Sequence, residues 1–307
     1  MNRGVLYALG AYGVWGLFPL YWKLLDHVSS VQLIAHRIVW SAALLLVIIS
    51  AQRGWRKLSA SARSRRNLTI YGLASVFLTG NWLVYVWAVN SGHIVESSLG
   101  YFINPLVSIV LAVIFLGERM RTGQWVAVGV AALGVAWLTI SYGGLPWIAL
   151  VLAASFGMYG LLKKKGTLNS AEGLTLETGM MLPIAVGYIL FANSQGSGAF
   201  VHGGVGTSLL LVGAGLVTTV PLLLFAAAAS RIPLSWIGIL QYITPTLQFL
   251  LGVLVFGEDL SLERLIGFGI VWIALGVFGV EGILNHRINY RAAALAQRSV
   301  AEEAATP

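Results

Sequence analysis

No cysteine occurs among the 307 residues, so neither a disulfide nor a thiolate metal site can contribute to this chain. Charge is almost as scarce, with Asp, Glu, Lys and Arg making up 10% of the sequence. Soluble globular domains carry about 25%. No aspartate falls inside an apolar run, and no G-x-x-x-x-G-K-[ST] segment is present, which excludes a P-loop and direct drive by ATP. What fills the chain instead is apolar: 58% of residues are hydrophobic, and the mean hydropathy is +0.83. That composition belongs in a bilayer.

A hydrocarbon core about 30 Å thick needs roughly 20 apolar residues per helix. Ten charge-poor runs meet that length, at 4–23, 31–50, 68–89, 97–116, 122–141, 145–162, 172–192, 206–229, 234–256 and 261–281. The sixth is short and interrupted by Ser155, Gly157 and Gly160. The first is too long for the h-region of a signal peptide and continues without a processing site, so it is expected to remain as a helix. The runs predict an all-α integral membrane protein with ten transmembrane helices.

The net charge of +8 is explained by where the basic residues fall. With Arg3 on the cytoplasmic side, sixteen Lys and Arg lie in inner segments, only Lys23 and Arg264 lie in outer ones, and Arg37 lies inside a run. This positive-inside bias places both termini in the cytoplasm and makes the charge topological, a partner of lipid headgroups and not of nucleic acid. Lys163 to Lys165 and the basic loop 53–66 read as topogenic charge with no specific ligand.

"SLGYFINPLVSIVLAVIFLGE" and "GILQYITPTLQFLLGVLVFGE" carry one pattern twice, and Pro105 with Pro245, Gly117 with Gly257 and Glu118 with Glu258 all stand 140 residues apart. The chain therefore divides into residues 1–142, residues 143–283 and a tail, 284–307, expected to be cytoplasmic and partly disordered. Each copy holds five runs. An odd number forces the second copy to enter the membrane from the opposite side, which gives inverted repeats. Such a duplication suits alternating access around a central site, in preference to one kept for folding alone.

The strings "NWLVYVWAVNSGHIVESSLGYFINPL", "AHRIVWS", "LTLETGMMLP", "PLLLFAAAASRIPLSWIGILQYITPT" and "FGIVWIALGVF" resemble the RarD group of the EamA family, within the drug/metabolite transporter superfamily. The resemblance spans roughly residues 3 to 282 and implies a ten-helix permease of the bacterial cytoplasmic membrane. Export is the direction the superfamily implies, and about substrate the resemblance says least.

Ionisable groups inside a membrane are expensive and are functional candidates by default. Here they are Arg37 and His36 in the second run and Glu177 in the seventh, the one acid away from the ends of a run. Arg37 and Glu177 match under the 140-residue offset. Inversion then puts them on opposite sides, each about 8 to 9 Å deep at ~1.5 Å per residue, with some 13 Å of a ~30 Å core between their backbones. A direct ion pair is not expected. Arg37 and His36 are assigned to an outer gate unless Arg37 snorkels to headgroups, and Glu177 to an inner gate or to proton coupling.

A second constellation is polar and aromatic. Asn81, Trp82 and Tyr85 lie in the third run, Tyr101 and Asn104 in the fourth beside Pro105, and Gln241, Tyr242 and Thr244 in the ninth beside Pro245. Proline frees a carbonyl and permits a bend, so Pro105 and Pro245 are expected as hinges. The amides, Trp82 and the tyrosines are expected to line a cavity for a small molecule, against the alternative of helix packing. Trp15, Trp22, Trp40, Trp55 and Trp147 are assigned to the interfacial belt or to packing. The two Gly-Glu pairs read as structural helix ends, with the glutamate at the aqueous boundary. His93 and Glu96, three residues apart, make no metal site with two ligands.

The expectation is a secondary transporter for a small metabolite or drug-like molecule. A channel-like facilitator of the same fold is the alternative. A membrane-embedded enzyme would need an acid/base pair or metal ligands converging at one depth, and a single intramembrane carboxylate does not supply them. No cofactor is implied, and nothing in the sequence fixes an oligomeric state.

Overall fold

The computed structural model of the chain describes residues 3–90, 94–142, 146–255, 257 and 262–305. Every regular element among them is helical: α1 (Arg3–Gly16), α2 (Phe18–Trp22), α3 (Ser30–Ala51), α4 (Trp55–Arg63), α5 (Arg65–Asn90), α6 (Ile94–Leu116), α7 (Thr122–Tyr142), α8 (Trp147–Lys165), α9 (Ser170–Ser194), α10 (Ala199–His202), α11 (Gly204–Ala229), α12 (Leu234–Leu240), α13 (Ile243–Leu254) and α14 (Leu262–Ala305). In a bilayer the backbone has no water to bond, so helices that satisfy it internally are required. Ten stretches of the described residues are long and apolar enough to cross a membrane, one for each run read from the sequence. Two of them, Arg3–Leu25 and Leu234–Leu254, are composite.

The composite spans break for local reasons. α1 ends at Gly16, and Pro19 opens the short α2, which passes into a 3-10 turn at Lys23–Leu25. Pro245 cannot donate to the Gln241 carbonyl and crowds it. α12 accordingly stops at Leu240, and the freed carbonyl accepts the Thr244 N–H at 3.1 Å. Pro105, by contrast, sits inside α6 without ending the helix.

Packing is tightest where side chains are small. A Cβ on Gly215 would lie 2.4 Å from the Trp40 Cβ, so α3 and α11 touch nearly backbone to backbone, and Ser41 Oγ donates to the Gly215 carbonyl at 3.2 Å. Gly238 does the same for α12, its Cβ position being 2.8 Å from the Pro105 carbonyl oxygen on α6. Beyond these pairs, α1 packs on α11 and α13, α8 on α5 and α6, α9 on α3 and α5, and α7 on α14. Large apolar side chains such as Val47, Ile114, Leu133, Ile140, Ile184 and Ile273 are exposed on the outside of the bundle, where lipid replaces water.

Polar groups tie the helix ends. The Glu118 carboxylate accepts from the backbone N–H of Leu234 at 2.7 Å, from that of Ser235 at 3.0 Å and from the Ser235 hydroxyl at 2.7 Å. It thereby caps α12 from the far end of α6. Its role is structural as expected, but it serves another helix and not its own terminus. Gly117 before it has φ +63, as does Gly257 with φ +66, both in the left-handed region that glycine adopts freely. Glu258, the second expected end residue, lies outside the described residues, as does His93. Arg121, just before α7, meets Glu281 on α14, with Nε 2.7 Å from Oε1. Helix α14 runs on to Ala305, through the tail expected as partly disordered. That stretch is rich in alanine, the strongest helix former, with arginine and glutamate beside it.

Candidate functional site

A cavity of about 250 Å³ opens where α1, α2, α3, α5, α6, α8, α11 and the α12/α13 break converge. Asn81, Trp82 and Tyr85 reach it from α5, Tyr101 and Asn104 from α6, Gln241 from the break and Arg37 from α3. The structure thus brings together residues that the sequence places in four separate runs.

The amides differ in what they do there. Asn81 is engaged with α8, its Nδ2 donating to the Leu152 carbonyl at 2.8 Å and to Ser155 Oγ at 2.9 Å. Asn104 Oδ1 is buried without a hydrogen-bond partner, and so is the Tyr12 hydroxyl. Tyr85 and Tyr101 meet edge to face with centroids 6.0 Å apart.

Tyr242 is the exception among the expected cavity residues. It is buried, with its hydroxyl donating to the Phe102 carbonyl at 3.2 Å, and it packs among Leu99, Phe102 and Phe268. Successive residues of a helix point about 100° apart at ~3.6 residues per turn. With Gln241 turned to the cavity, its neighbour must face α6.

Four aromatic residues of the first span also line the cavity: Tyr12, Trp15, Phe18 and Trp22. The sequence suggests belt or packing for Trp15 and Trp22, and the structure sets both on the cavity. Their signal was there to be read, since positions 12, 15, 18 and 22 recur at the three- and four-residue spacing of one helix face.

Arg37 does not snorkel outward. Its Nε donates to Thr218 Oγ1 at 2.8 Å, and its guanidinium carbon lies 4.5 Å from the Trp82 ring centroid and 4.8 Å from that of Trp22. His36, one residue earlier, points elsewhere and stacks on Phe200 of α10 with centroids 5.5 Å apart. The same end of the bundle is clamped by Gln32, which donates to the Ser197 carbonyl and accepts from the Ala199 N–H, both at 2.7 Å.

Glu177 has a partner that the sequence did not suggest. The Lys163 ammonium lies 2.7 Å from its Oε1, and the Tyr159 hydroxyl donates to Oε2 at 3.4 Å. Lys163, expected as solvated topogenic charge, is folded back into the bundle between the rings of Tyr71 and Tyr159, with centroids 5.4 and 5.8 Å away. The cause is local: α8 ends at Lys165, a capping box of Asn169 and Glu172 restarts the chain as α9, and the turn between them brings Lys163 opposite Glu177. As expected, Arg37 and Glu177 form no ion pair. Both nevertheless border a second small cavity, together with Thr218 and Met181. Among the described residues no cluster of His, Cys, Asp or Glu could hold a metal ion.

Residues 2–140 match the EamA-like transporter family. A Streptomyces exfoliatus protein named Protein RarD is 48% identical over 286 residues, covering 93% of this chain and 91% of that protein. Protein RarD of Escherichia coli K12 is 43% identical over 286 residues, covering 93% of this chain and 97% of that one. A crystal structure with 18% sequence identity superposes with a TM-score of 0.68, covering 90% of this chain and 97% of that chain, which is a likeness of fold.

Proposed function

The chain belongs to the RarD group of the EamA-like transporter family, a membrane transporter by kinship with its relatives, and from that premise we propose that it is a secondary carrier. It moves a small metabolite or drug-like molecule across the bacterial cytoplasmic membrane by alternating access, in the direction of export. The observation that carries this reading is the central cavity, walled by helices from both halves of the chain and lined by Arg37, Asn81 and Gln241 among aromatic rings.

Packing supports an inverted repeat of residues 1–142 and 143–283. Exchanging the first five spans for the last five turns the α3 and α11 contact into that of α9 and α5, and the α8 and α6 contact into that of α1 with α13. The match of the family to residues 2–140 agrees with the first of these units. With both termini cytoplasmic, as the positive-inside bias indicates, the Gln32 clamp, His36 and Arg37 serve the outer closure, and the Glu177 and Lys163 pair serves the inner one. A proton bound at Glu177 is the coupling ion, which requires the pair with Lys163 to open during the cycle.

Counterflow tests the carrier. The full chain in liposomes preloaded with unlabelled compound should take up the matching tracer with saturable, trans-stimulated kinetics. Flux without trans-stimulation would make it a channel-like facilitator, and absence of flux across a broad panel of metabolites and antibiotics would remove the transport reading of the cavity.

A further inference from the structure

Among the described residues Arg37 is the one charged side chain bordering the central cavity. Its Nε is engaged with Thr218, while its terminal nitrogens have no acceptor, and no carboxylate forms an ion pair with it, among the described residues. A guanidinium inside a membrane protein without a counter-charge is costly. Glu177, which borders the second small cavity with Arg37, is held by Lys163, and that leaves the central cavity as the side from which a counter-charge can reach Arg37. The rings of Trp22 and Trp82, whose faces would otherwise attract an organic cation, already lie against Arg37. An amine entering here meets a like charge and finds those ring faces taken.

We propose, on the basis of the carrier reading above, that the cavity is a binding site for a small monocarboxylate with a flat apolar body and a second polar group. The planar guanidinium fork matches the two oxygens of a carboxylate, and a lone arginine with no second cation beside it suits a single negative charge. Trp15 and Phe156 supply apolar wall for a ring. The side-chain amides of Gln241 and Gln248, which carry both donors and acceptors, border the cavity and can bond a ring hydroxyl. At about 250 Å³ the cavity is smaller than the ~300–1,000 Å³ of drug-sized pockets. That size favours a single-ring metabolite over a large antibiotic.

The test is a matched set of probes on the purified full-length protein: 4-hydroxyphenylacetate, its amide and tyramine, which share the ring and hydroxyl and differ in charge. Binding is read by quenching of tryptophan fluorescence and checked by calorimetry. The carboxylate should bind about tenfold or more tighter than the amide and tighter still than the amine. Arg37→Gln should bring carboxylate and amide to similar affinity, and Arg37→Lys should keep part of the difference. Equal or tighter binding of the amide or the amine to the wild-type protein overturns the proposal whether or not the variants fold, and so does binding of none of the three. Failure of the carrier reading looks different: the carboxylate binds in detergent with the expected selectivity, yet shows no counterflow in liposomes.

Discussion

Lys163 and Glu177 close on each other across the α8–α9 turn, Nζ 2.7 Å from Oε1, with side chains only 4% and 2% exposed. Two opposite charges this well buried hold one another in place, and either alone would be stranded. Removing one member of such a pair costs about 3–5 kcal/mol, whereas replacing both by apolar groups of similar size is often neutral. Lys163→Met should therefore lower the thermal midpoint of the detergent-solubilised protein markedly, and Lys163→Met combined with Glu177→Leu should recover most of the loss. Equal midpoints for the single variant and the wild type would mean that the pair contributes nothing.

Transport separates gate from coupling at the same residue. Glu177→Gln keeps the shape and removes the titrating oxygen. Accumulation driven by a proton gradient should be lost while counterflow exchange persists. An accumulation that still follows the imposed pH gradient in this variant would take Glu177 out of the coupling step.

Gln241 and Tyr242 are neighbours with opposite assignments. Gln241→Ala should raise the KM for transport or the Kd about 3- to 10-fold, the loss of one hydrogen bond to a ligand, with the midpoint unchanged. Tyr242→Phe removes the bond to the Phe102 carbonyl and should lower stability by about 1 kcal/mol while leaving KM alone. Reversed outcomes would exchange the two roles.

Glu118 is expected to act on α12 at a distance. Glu118→Ala leaves the N–H groups of Leu234 and Ser235 without their acceptor, a loss of about 0.5–2 kcal/mol for a capping group. Hydrogen exchange at these two amides should speed up in the variant while exchange in α3 and α11 is unaltered. Unchanged protection at both positions would show that the cap is dispensable.

The ten spans were legible because apolar length alone decides them, and the clustering of Asn81, Tyr101, Asn104 and Gln241 was legible because polar groups in mid-membrane have few places to go. What escaped was direction around the helix axis. Tyr242 was grouped with Gln241 by proximity in sequence, although adjacent residues on a helix diverge. Tryptophan near a helix end reads as interfacial belt or packing, whereas the face that Trp15 and Trp22 share with Tyr12 and Phe18 sets them on the cavity. Lys163 was one of three lysines in a row, and only the turn between α8 and α9 selects which of them folds inward. Lys164 goes to the Ile232 carbonyl instead.

Two halves written in one pattern do not have one shape: the ninth span is severed at Gln241 and Tyr242, while its counterpart α6 passes unbroken through Pro105. A carrier that trades the shapes of its halves has to let that discontinuity migrate. α12 and α13 would fuse, and α6 would part at Tyr101 and Phe102, the residues 140 positions earlier. Those are also the residues already in play, Tyr101 on the cavity wall and Phe102 holding the Tyr242 hydroxyl through its carbonyl. In the carrier cycle proposed above, release would then follow from a single fracture changing helices, which takes apart the cavity wall at Tyr101 and Gln241.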